Sequence, residues 1–392
     1  MGLNSGRKYV FLVAYVTYAL LYLARLNFSI ALPLLNEELG YSKFTLGLIA
    51  GSFSISYAIG QFIHGQFVDR YGPKKIILTG LLFSALMNML FGYVNALIPL
   101  IIIWAINGYA QSTGWPAVVK LVSSRFKSRL GKVGGLFGSC FLTGNMIAWP
   151  ILGYLVSNYG WRIAFMIPSI ILIALAILLY LTVEEAWMLK VDHSKEIINF
   201  KRLFLSRELI VIALAYILLQ FVRSVFTLWA PSYLFEKYRL SLDVASYGAA
   251  VIPLGGIVGS IISGWFSDHM EKSGRGSAIY ILALSLSFAI VMFHCASHLG
   301  FEIGIASLFL VGFTLYGPHV IISTVMPMEF NGDYGGATVA GFIDGMGYFG
   351  SMFAESFTGW LIDMYGWNGA TMFCLISSLS ATILIAFFYK EK

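Results

Sequence analysis

Two apolar segments are joined by the stretch Gly65-Gln66-Phe67-Val68-Asp69-Arg70-Tyr71-Gly72-Pro73-Lys74-Lys75. A weaker copy, Gly264-Trp265-Phe266-Ser267-Asp268-His269, follows 199 residues later, at the end of another apolar segment. Glycines let helix backbones approach each other, and Asp69 stands where an acid can cap the helix that follows. We interpret Gly65, Asp69, Arg70, Gly72 and Asp268 as parts of a turn that is used twice, which predicts an internal repeat.

Three further pairs of markers recur in the same order. The segment around Arg25 and Pro33 matches the segment around Arg223 and Pro231, 198 residues later. The other two pairs are Gly114-Trp115-Pro116 with Tyr316-Gly317-Pro318, a loose match, and 153–161 with 359–367. If each half holds an even number of spans, the halves enter the membrane in the same direction and form parallel repeats.

The composition is that of a membrane protein with many spans. The chain is 58% hydrophobic and 11% charged, with a mean hydropathy of +0.80, whereas soluble domains carry roughly 25% charged residues. The net charge of +6 does not indicate nucleic-acid binding, because the basic residues cluster in short loops between apolar segments rather than on one face.

Twelve apolar segments are long enough to cross a bilayer as helices, since open strands cannot span lipid. The predicted fold is therefore all-α, with twelve transmembrane helices in two pseudo-symmetric six-helix bundles. The bundles would comprise residues 1–182 and 208–392, joined by a cytoplasmic linker at 183–207. We number the segments spans 1 to 12: 9–35, 43–67, 76–94, 96–123, 133–156, 161–182, 208–234, 244–267, 278–296, 300–327, 335–360 and 367–388.

The distribution of lysine and arginine predicts the orientation of the chain. Eighteen of these residues fall at the termini and in the loops that share their side, and the opposite side holds only Lys43, Arg162, Lys237 and Arg239. The excess of positive charge marks the cytoplasmic side. Both termini are expected in the cytoplasm, and the protein is expected in the cell membrane.

Arg25 and Arg223 lie inside apolar segments, where each costs roughly 2.5–3.5 kcal/mol on insertion scales. Arginine cannot shed its proton, and its guanidinium fork matches the oxygens of phosphate. Tyr18 and Tyr22 share a helical face with Arg25 and can donate hydrogen bonds to an oxyanion. We expect the two arginines to hold one anion between the halves. A structural ion pair between Arg25 and a buried acid, and simple packing of the tyrosines, are the alternatives.

Other polar residues of the apolar segments are weaker candidates. Asp344 and Glu355 share one face of span 11, with Tyr348 one turn beyond Asp344. The two acids can balance Arg223 or Lys120, or one can carry a proton, or both can serve in structural ion pairs. His319 is titratable near neutral pH, but a packed, neutral histidine is the alternative. Lys120 either lines a cavity or reaches the cytoplasmic surface.

The stretch 65–75 resembles the signature loop of the major facilitator superfamily. Within it, the chain is similar to the organophosphate:phosphate antiporter family, which includes glycerol-3-phosphate, hexose-phosphate and phosphoglycerate carriers. The similar positions are Tyr18, Tyr22, Arg25, Asn27, Phe28 and Pro33; the stretch 107–116 with Gln111; Arg223 to Trp229, Pro231 and Tyr233; Tyr316-Gly317-Pro318; and Gly341, Phe342, Gly347, Tyr348 and Gly350. The resemblance implies two bundles around a central cavity, in which the arginines of spans 1 and 7 bind the phosphate.

The sequence departs from this family at two positions. Leu26 follows Arg25, where many members have lysine, and Phe141 stands where the glycerol-3-phosphate carrier has a histidine. The organic part of the substrate is therefore not identified by the resemblance.

Two other functions fit parts of the pattern. A carboxylate or sugar-acid:proton symporter of the related anion:cation symporter family would use Asp344 as a proton carrier. Such proteins often have acids where this chain has Ala24 and Gln111, and Arg223 is an addition to their pattern. A sensor built on a carrier fold would bind the anion without moving it.

No nucleotide-binding loop, metal-spaced cluster or nucleophile elbow occurs in the sequence. We therefore expect no enzyme activity and no cofactor. The expected partners are an organic phosphate, inorganic phosphate and membrane lipid, without nucleic acid. A monomer is expected, because two halves in one chain already complete a cavity.

Overall fold

The computed structural model describes residues 3–123, 136–183, 207–269, 275–326 and 336–390, and all regular secondary structure in these ranges is helical. The predicted linker lies outside the described residues except for its ends, Val183 and Arg207. The first half contains α1 Leu3–Leu21, α2 Leu23–Leu39, α3 Lys43–Tyr71, α4 Pro73–Phe91, α5 Leu97–Gln111, α6 Gly114–Ser123, α7 Cys140–Tyr159 and α8 Ile163–Thr182.

The described α-helices of the second half range from 8 to 55 residues. They are α9 Arg207–Tyr238, α10 Leu242–Ala249, α11 Val251–His269, α12 Arg275–Ala296, α13 Phe301–Val320 with a π-helical turn Ile321–Val325, and α14 Gly336–Lys390. The last of these turns at Gly366, whose φ of 66° and ψ of −167° are not helical. Spans 11 and 12 are the two arms on either side of this glycine.

Each predicted span coincides with helix in the described part of the chain. Ten helical stretches are long and apolar enough to cross a membrane, and one of them, Gly341–Phe387, covers both span 11 and span 12. Span 4 is not among the ten because it is divided into α5 and α6. The all-α membrane fold is confirmed, whereas the count of twelve crossings stays a prediction.

In the described part of the chain, two spans are broken near their middle, beside residues that the sequence singled out, and spans 5 and 8 are broken nearer one end, span 5 at Ser139. Span 1 is interrupted at Tyr22, three residues before Arg25, and span 4 at Ser112 and Thr113, directly after Gln111. Span 8 is interrupted at Ala250. Irregular backbone at membrane depth is tolerated where it is buried in protein or lines a cavity. The first two breaks therefore indicate the polar centre of the first half.

The two halves pack closely where span 2 lies against span 11. A Cβ atom added to Gly47 would lie 2.8 Å from the Cα of Ser356, and one added to Gly345 would lie 2.6 Å from the ring of Phe62. Gly341, about one turn before Gly345, has more room: the nearest atom to its added Cβ is the carbonyl oxygen of Gln61, at 3.6 Å. Glycines thus allow the halves to meet along these two helices.

Polar contacts join the halves at the end of the molecule that carries the turn between α2 and α3, which we call the Lys43 end. Lys43 Nζ lies 3.1 Å from a carboxylate oxygen of Glu236. The backbone N–H groups of Lys43 and Phe44 donate to the Asp363 carboxylate at 3.2 and 2.8 Å. In the expected topology this end is opposite to the termini.

Candidate substrate-binding site

Arg25 is surrounded by aromatic and amide side chains from both halves. Its Nη1 donates to the hydroxyl oxygens of Tyr348 at 2.9 Å and Tyr22 at 3.3 Å, and its Nε donates to Gln111 Oε1 at 3.0 Å. The guanidinium carbon lies 4.6 Å from the ring centre of Tyr57 and 4.7 Å from that of Tyr22. Its Nη2 is buried and has no hydrogen-bond partner among the described residues.

A cluster of amide side chains fixes the neutral partner of Arg25. Gln111 Nε2 donates to the carbonyl oxygen of Ala24 at 2.8 Å, so that its Oε1 faces the guanidinium. Asn107 and Asn88 also donate to this carbonyl, both at 3.3 Å. These contacts satisfy backbone near the break at Tyr22, as buried polar groups require. Because Gln111 is uncharged, it orients Arg25 without neutralising it.

Arg223 is 7% exposed and is held by a single neutral side chain. Its Nη1 donates to Gln220 Oε1 at 3.0 Å, and its Nε is buried without a partner in the described part of the chain. The guanidinium carbon lies 5.7 Å from the ring centre of Phe141 and 5.8 Å from that of Tyr348. Phe141 therefore contacts the second arginine from the first half.

Neither arginine forms a salt bridge among the described residues, where the ion pairs include Lys43 with Glu236 and Arg162 with Glu38. The described contacts therefore do not support the alternative, in which Arg25 forms a structural ion pair with a buried acid. Two guanidinium groups with buried, unsatisfied N–H groups are costly unless an anion is supplied.

Tyr348 connects the two arginines. Its hydroxyl accepts from Arg25, its ring lies 4.2 Å from the ring of Tyr57, and the same ring lies beside Arg223. Span 11 of the second half thus contributes directly to the surroundings of the arginine of the first half.

One cavity is bordered by both arginines and by residues of both halves. Its polar lining is Tyr22, Arg25, Ser29, Ser54, Arg223, Ser224, Thr227, Tyr348, Ser351 and Glu355, and its apolar lining is Leu26, Phe28, Ala50, Phe53, Trp104 and Leu228. An anion in this cavity would meet two fixed positive charges, two tyrosine side chains, several serine or threonine hydroxyls and the carboxyl group of Glu355.

The two acids of span 11 have different surroundings. Glu355 lines the cavity, and both of its carboxylate oxygens accept from Ser54 Oγ, at 3.0 and 2.8 Å. Asp344 does not line it; its Oδ1 accepts from the Tyr216 hydroxyl at 3.4 Å. The Tyr216 hydroxyl also lies 2.9 Å from Nε2 of buried His319. Asp344 and His319 are therefore two ends of one hydrogen-bonded chain behind the cavity.

Tyr18 and Lys120 are not part of the cavity wall. The Tyr18 hydroxyl lies 3.4 Å from the Tyr57 hydroxyl, and its ring is 5.0 Å from Trp115. Lys120 lies in the last turn of α6 and is partly buried. Tyr18 can support Tyr57 behind Arg25, whereas Lys120 belongs to another part of span 4.

The signature turn lies at the end of α3, away from the cavity. Gly72 has a φ of 87°, a conformation that favours glycine, and exposed Arg70 lies over the ring of Tyr71 at 5.5 Å. A Cβ added to Gly65 would meet nothing within 4 Å, so the expected close helix approach at Gly65 is absent from the described contacts. Asp69 and Asp268 lie within α3 and α11, and their side chains are outside the description.

Sequence reasoning missed three contributors to the site. Tyr57 and Phe53 cover the Arg25 guanidinium, and aromatic residues of an apolar segment are ordinarily interpreted as packing. Gln220, which holds Arg223, could have been found, because residues three apart on a helix share a face.

Comparison with known proteins shows the family to which the chain belongs. The model of the Major Facilitator Superfamily, a family of transporters, matches residues 14–355. The glycerol-3-phosphate transporter of Bacillus subtilis is 29% identical over 97% of this chain and 91% of its own. The probable hexose phosphate transport protein of Chlamydia pneumoniae is 26% identical over 96% and 89%. The membrane sensor protein UhpC of Escherichia coli is 24% identical over 97% and 92%.

These relatives cover nearly the whole chain, and the family is one of transporters rather than enzymes. They confirm the resemblance to the organophosphate:phosphate antiporter family that the residues around Arg25, Gln111 and Arg223 indicated. The protein is a multi-pass membrane protein that belongs to the Major Facilitator Superfamily.

Proposed function

We propose that this protein carries an organic phosphate ester across the membrane in exchange for inorganic phosphate, with the phosphoryl group bound between Arg25 and Arg223. One observation carries the proposal: both guanidinium groups border a single cavity, and each keeps a buried N–H group without a partner among the described residues. Phosphate oxygens accept such donors in pairs. The transport of phosphate esters by relatives, as their names state, supports the same conclusion.

The charges of the cavity favour exchange of one anion for another over reorientation of the empty protein. Without a bound anion, the guanidinium groups of Arg25 and Arg223 border one cavity and repel each other at low dielectric, and Glu355 in the same wall forms a salt bridge with neither among the described residues. Bound phosphate removes that repulsion and contacts both halves. We infer that residues 1–182 and 208–392 rock against each other around the bound anion, and that the empty protein reorients slowly. In this proposal the protein is a monomer in the cell membrane with both termini in the cytoplasm.

The test is entry of labelled inorganic phosphate into proteoliposomes that contain unlabelled phosphate. The parent protein should exchange phosphate, and Arg25→Lys and Arg223→Lys should each lose the exchange, because the compact ammonium group of lysine does not reproduce the planar guanidinium fork that bonds two phosphate oxygens at once. Arg162→Lys is the matched control, since exposed Arg162 pairs with Glu38 outside the cavity. Absence of exchange in the parent, or full exchange in both cavity variants, would overturn the proposal.

Proton symport of a sugar acid is the second candidate, and it has one specific observation in its favour. Asp344, Tyr216 and His319 form a chain of hydrogen bonds in the second half, and buried chains of this kind can carry protons in transporters. Uptake of a sugar acid that is driven by a pH gradient, and is lost in Asp344→Asn, would favour this candidate. A sensor would instead bind phosphate in the detergent-solubilised protein without exchanging it in liposomes.

A further inference from the structure

Glu355 is an acid in the wall of the cavity that the exchange of inorganic phosphate does not use. It follows Tyr348 by seven residues on α14, so that it lies on the same face and about 10 Å farther along the helix axis. Both residues border the cavity that contains Arg25 and Arg223. Arg25 and Arg223 both lie beside Tyr348. The carboxylate of Glu355 therefore lies at a different height along the axis of α14 from the two positive charges.

The carboxylate of Glu355 has few hydrogen-bond partners for a charged group in the wall of a cavity. Ser54, from the other half, donates to both oxygens, and no lysine or arginine of the described residues forms a salt bridge with Glu355. A carboxylate can accept about four hydrogen bonds, and buried charges are ordinarily paired. The observed contacts leave Glu355 with acceptor capacity that faces the cavity.

The side chains that border the cavity carry two positive charges and one negative charge if all three are ionised. If inorganic phosphate were the bound anion, Glu355 would lie in the same cavity without a cation to pair with. A phosphate ester that also bears an ammonium group has a net charge of about −1 near neutral pH, which balances this set. Phe28 and Trp104 also line the cavity, and aromatic rings attract ammonium groups.

We propose that Glu355 forms the cationic subsite of this carrier and pairs with an amine on the organic part of the substrate. This inference rests on the proposed exchange function, because it places the phosphoryl group at the arginines. The axial separation of about 10 Å between Tyr348 and Glu355 fits an amine several bonds from the phosphate. The substrate class is therefore a phosphate ester whose organic part carries an amine.

The experiment compares two ligands that differ in one group. Glucosamine 6-phosphate and glucose 6-phosphate compete with labelled phosphate for entry into phosphate-loaded proteoliposomes. In the parent, the amino ligand should compete about tenfold better, the size of a hydrogen bond to a charged group in a shielded site. In Glu355→Gln this preference should disappear, and in Glu355→Asp, which retains the charge, most of it should remain.

An acid outside the cavity provides the control, and the possible results distinguish failure of the ammonium subsite from failure of the exchange function. Glu302→Gln changes an exposed acid at the start of α13 and should keep the parent preference. If the parent exchanges phosphate but accepts the two ligands equally, the ammonium subsite is wrong while the exchange function stands. A preference that survives in Glu355→Gln also overturns the subsite. If the parent does not exchange phosphate, the exchange function itself is wrong.

Discussion

Asp363 and Ser157 occupy equivalent positions in the two repeats, and each accepts from the backbone at the start of a helix in the other half. Asp363 accepts from Lys43 and Phe44, and Ser157 Oγ accepts from the N–H of Asp243 at 3.0 Å. The stretches 153–161 and 359–367, which match in sequence, thus perform matching roles in closing the Lys43 end. The unpaired N–H groups at a helix start suit such acceptors.

Replacement of Asp363 by alanine should open the Lys43 end more often. The change removes two acceptors, and their exposure limits the loss to about 1 kcal/mol. A cysteine introduced at Ser224, which lines the cavity, reports this opening through its rate of labelling by a membrane-impermeant thiol reagent. The native residues Cys140, Cys295 and Cys374 are replaced beforehand. Labelling from the side of the Lys43 end should become several-fold faster, and Asp363→Asn, which keeps one acceptor oxygen, should fall between.

The same test with Ser157→Ala should give a smaller increase, since a hydroxyl is a weaker acceptor than a carboxylate. Equal labelling of the parent and Asp363→Ala would show that these hydrogen bonds do not hold the end closed.

Gln111→Glu should impair phosphate exchange more than Gln111→Met. The new carboxylate would lie where Gln111 Oε1 now accepts from Arg25 Nε at 3.0 Å, and it would compete with phosphate for the guanidinium. We expect the KM for phosphate to rise at least about tenfold, the scale of a charge-assisted hydrogen bond. An equal loss in both variants would mean that Gln111 acts through its hydrogen bond to the carbonyl oxygen of Ala24 and not through the charge of Arg25.

Tyr348→Phe should weaken phosphate binding more than Tyr22→Phe. Both changes keep the ring, but the hydroxyl of Tyr348 accepts from Arg25 at 2.9 Å and that of Tyr22 at 3.3 Å. A net loss of about 1 kcal/mol for Tyr348 corresponds to an approximately fivefold higher KM. The KM of phosphate exchange for the two variants, measured side by side, checks the order. The reverse order would contradict the assigned contacts.

Gly47→Ala should lower the thermal stability of the purified protein, whereas Gly65→Ala in the same helix should not. An added Cβ at Gly47 would lie within 3 Å of the backbone of Ser356, and at Gly65 it would meet nothing within 4 Å. Overpacking against backbone costs typically about 1–3 kcal/mol. Unfolding in detergent, followed by fluorescence, should show a lower Tm for the first variant alone. Equal Tm values would mean that the halves separate readily along spans 2 and 11.

Much of the fold could be predicted because a lipid bilayer permits few kinds of backbone structure to cross it. Apolar length identifies the spans, and the repeated markers at Arg25 and Arg223 predicted a shared cavity, which both residues border. Tyr22, Gln111 and Tyr348 were also predicted, and all three form hydrogen bonds with Arg25. Their roles in transport stay predictions, which the variants above test.

The remainder depends on side-chain direction and on local backbone geometry. The break at Ser112 and Thr113 is followed by Gly114 and Pro116, which are signals of a break, but the length of the segment 96–123 predicted one long helix. Asp344 and Glu355 share a face of an ideal helix, but Asp344 contacts Tyr216, and Glu355 contacts Ser54 in the cavity. A helical repeat alone does not distinguish these two environments.

The bond between Tyr348 and Arg25 joins a residue of one half to the charge of the other half that we propose binds phosphate. Nη2 of Arg25 has no partner among the described residues, so an incoming phosphate can bind there and share the guanidinium with the tyrosine. The anion would then join a contact that already links the halves. We infer that the hydroxyl of Tyr348 couples the second half to the loading of the first, without a further residue between them.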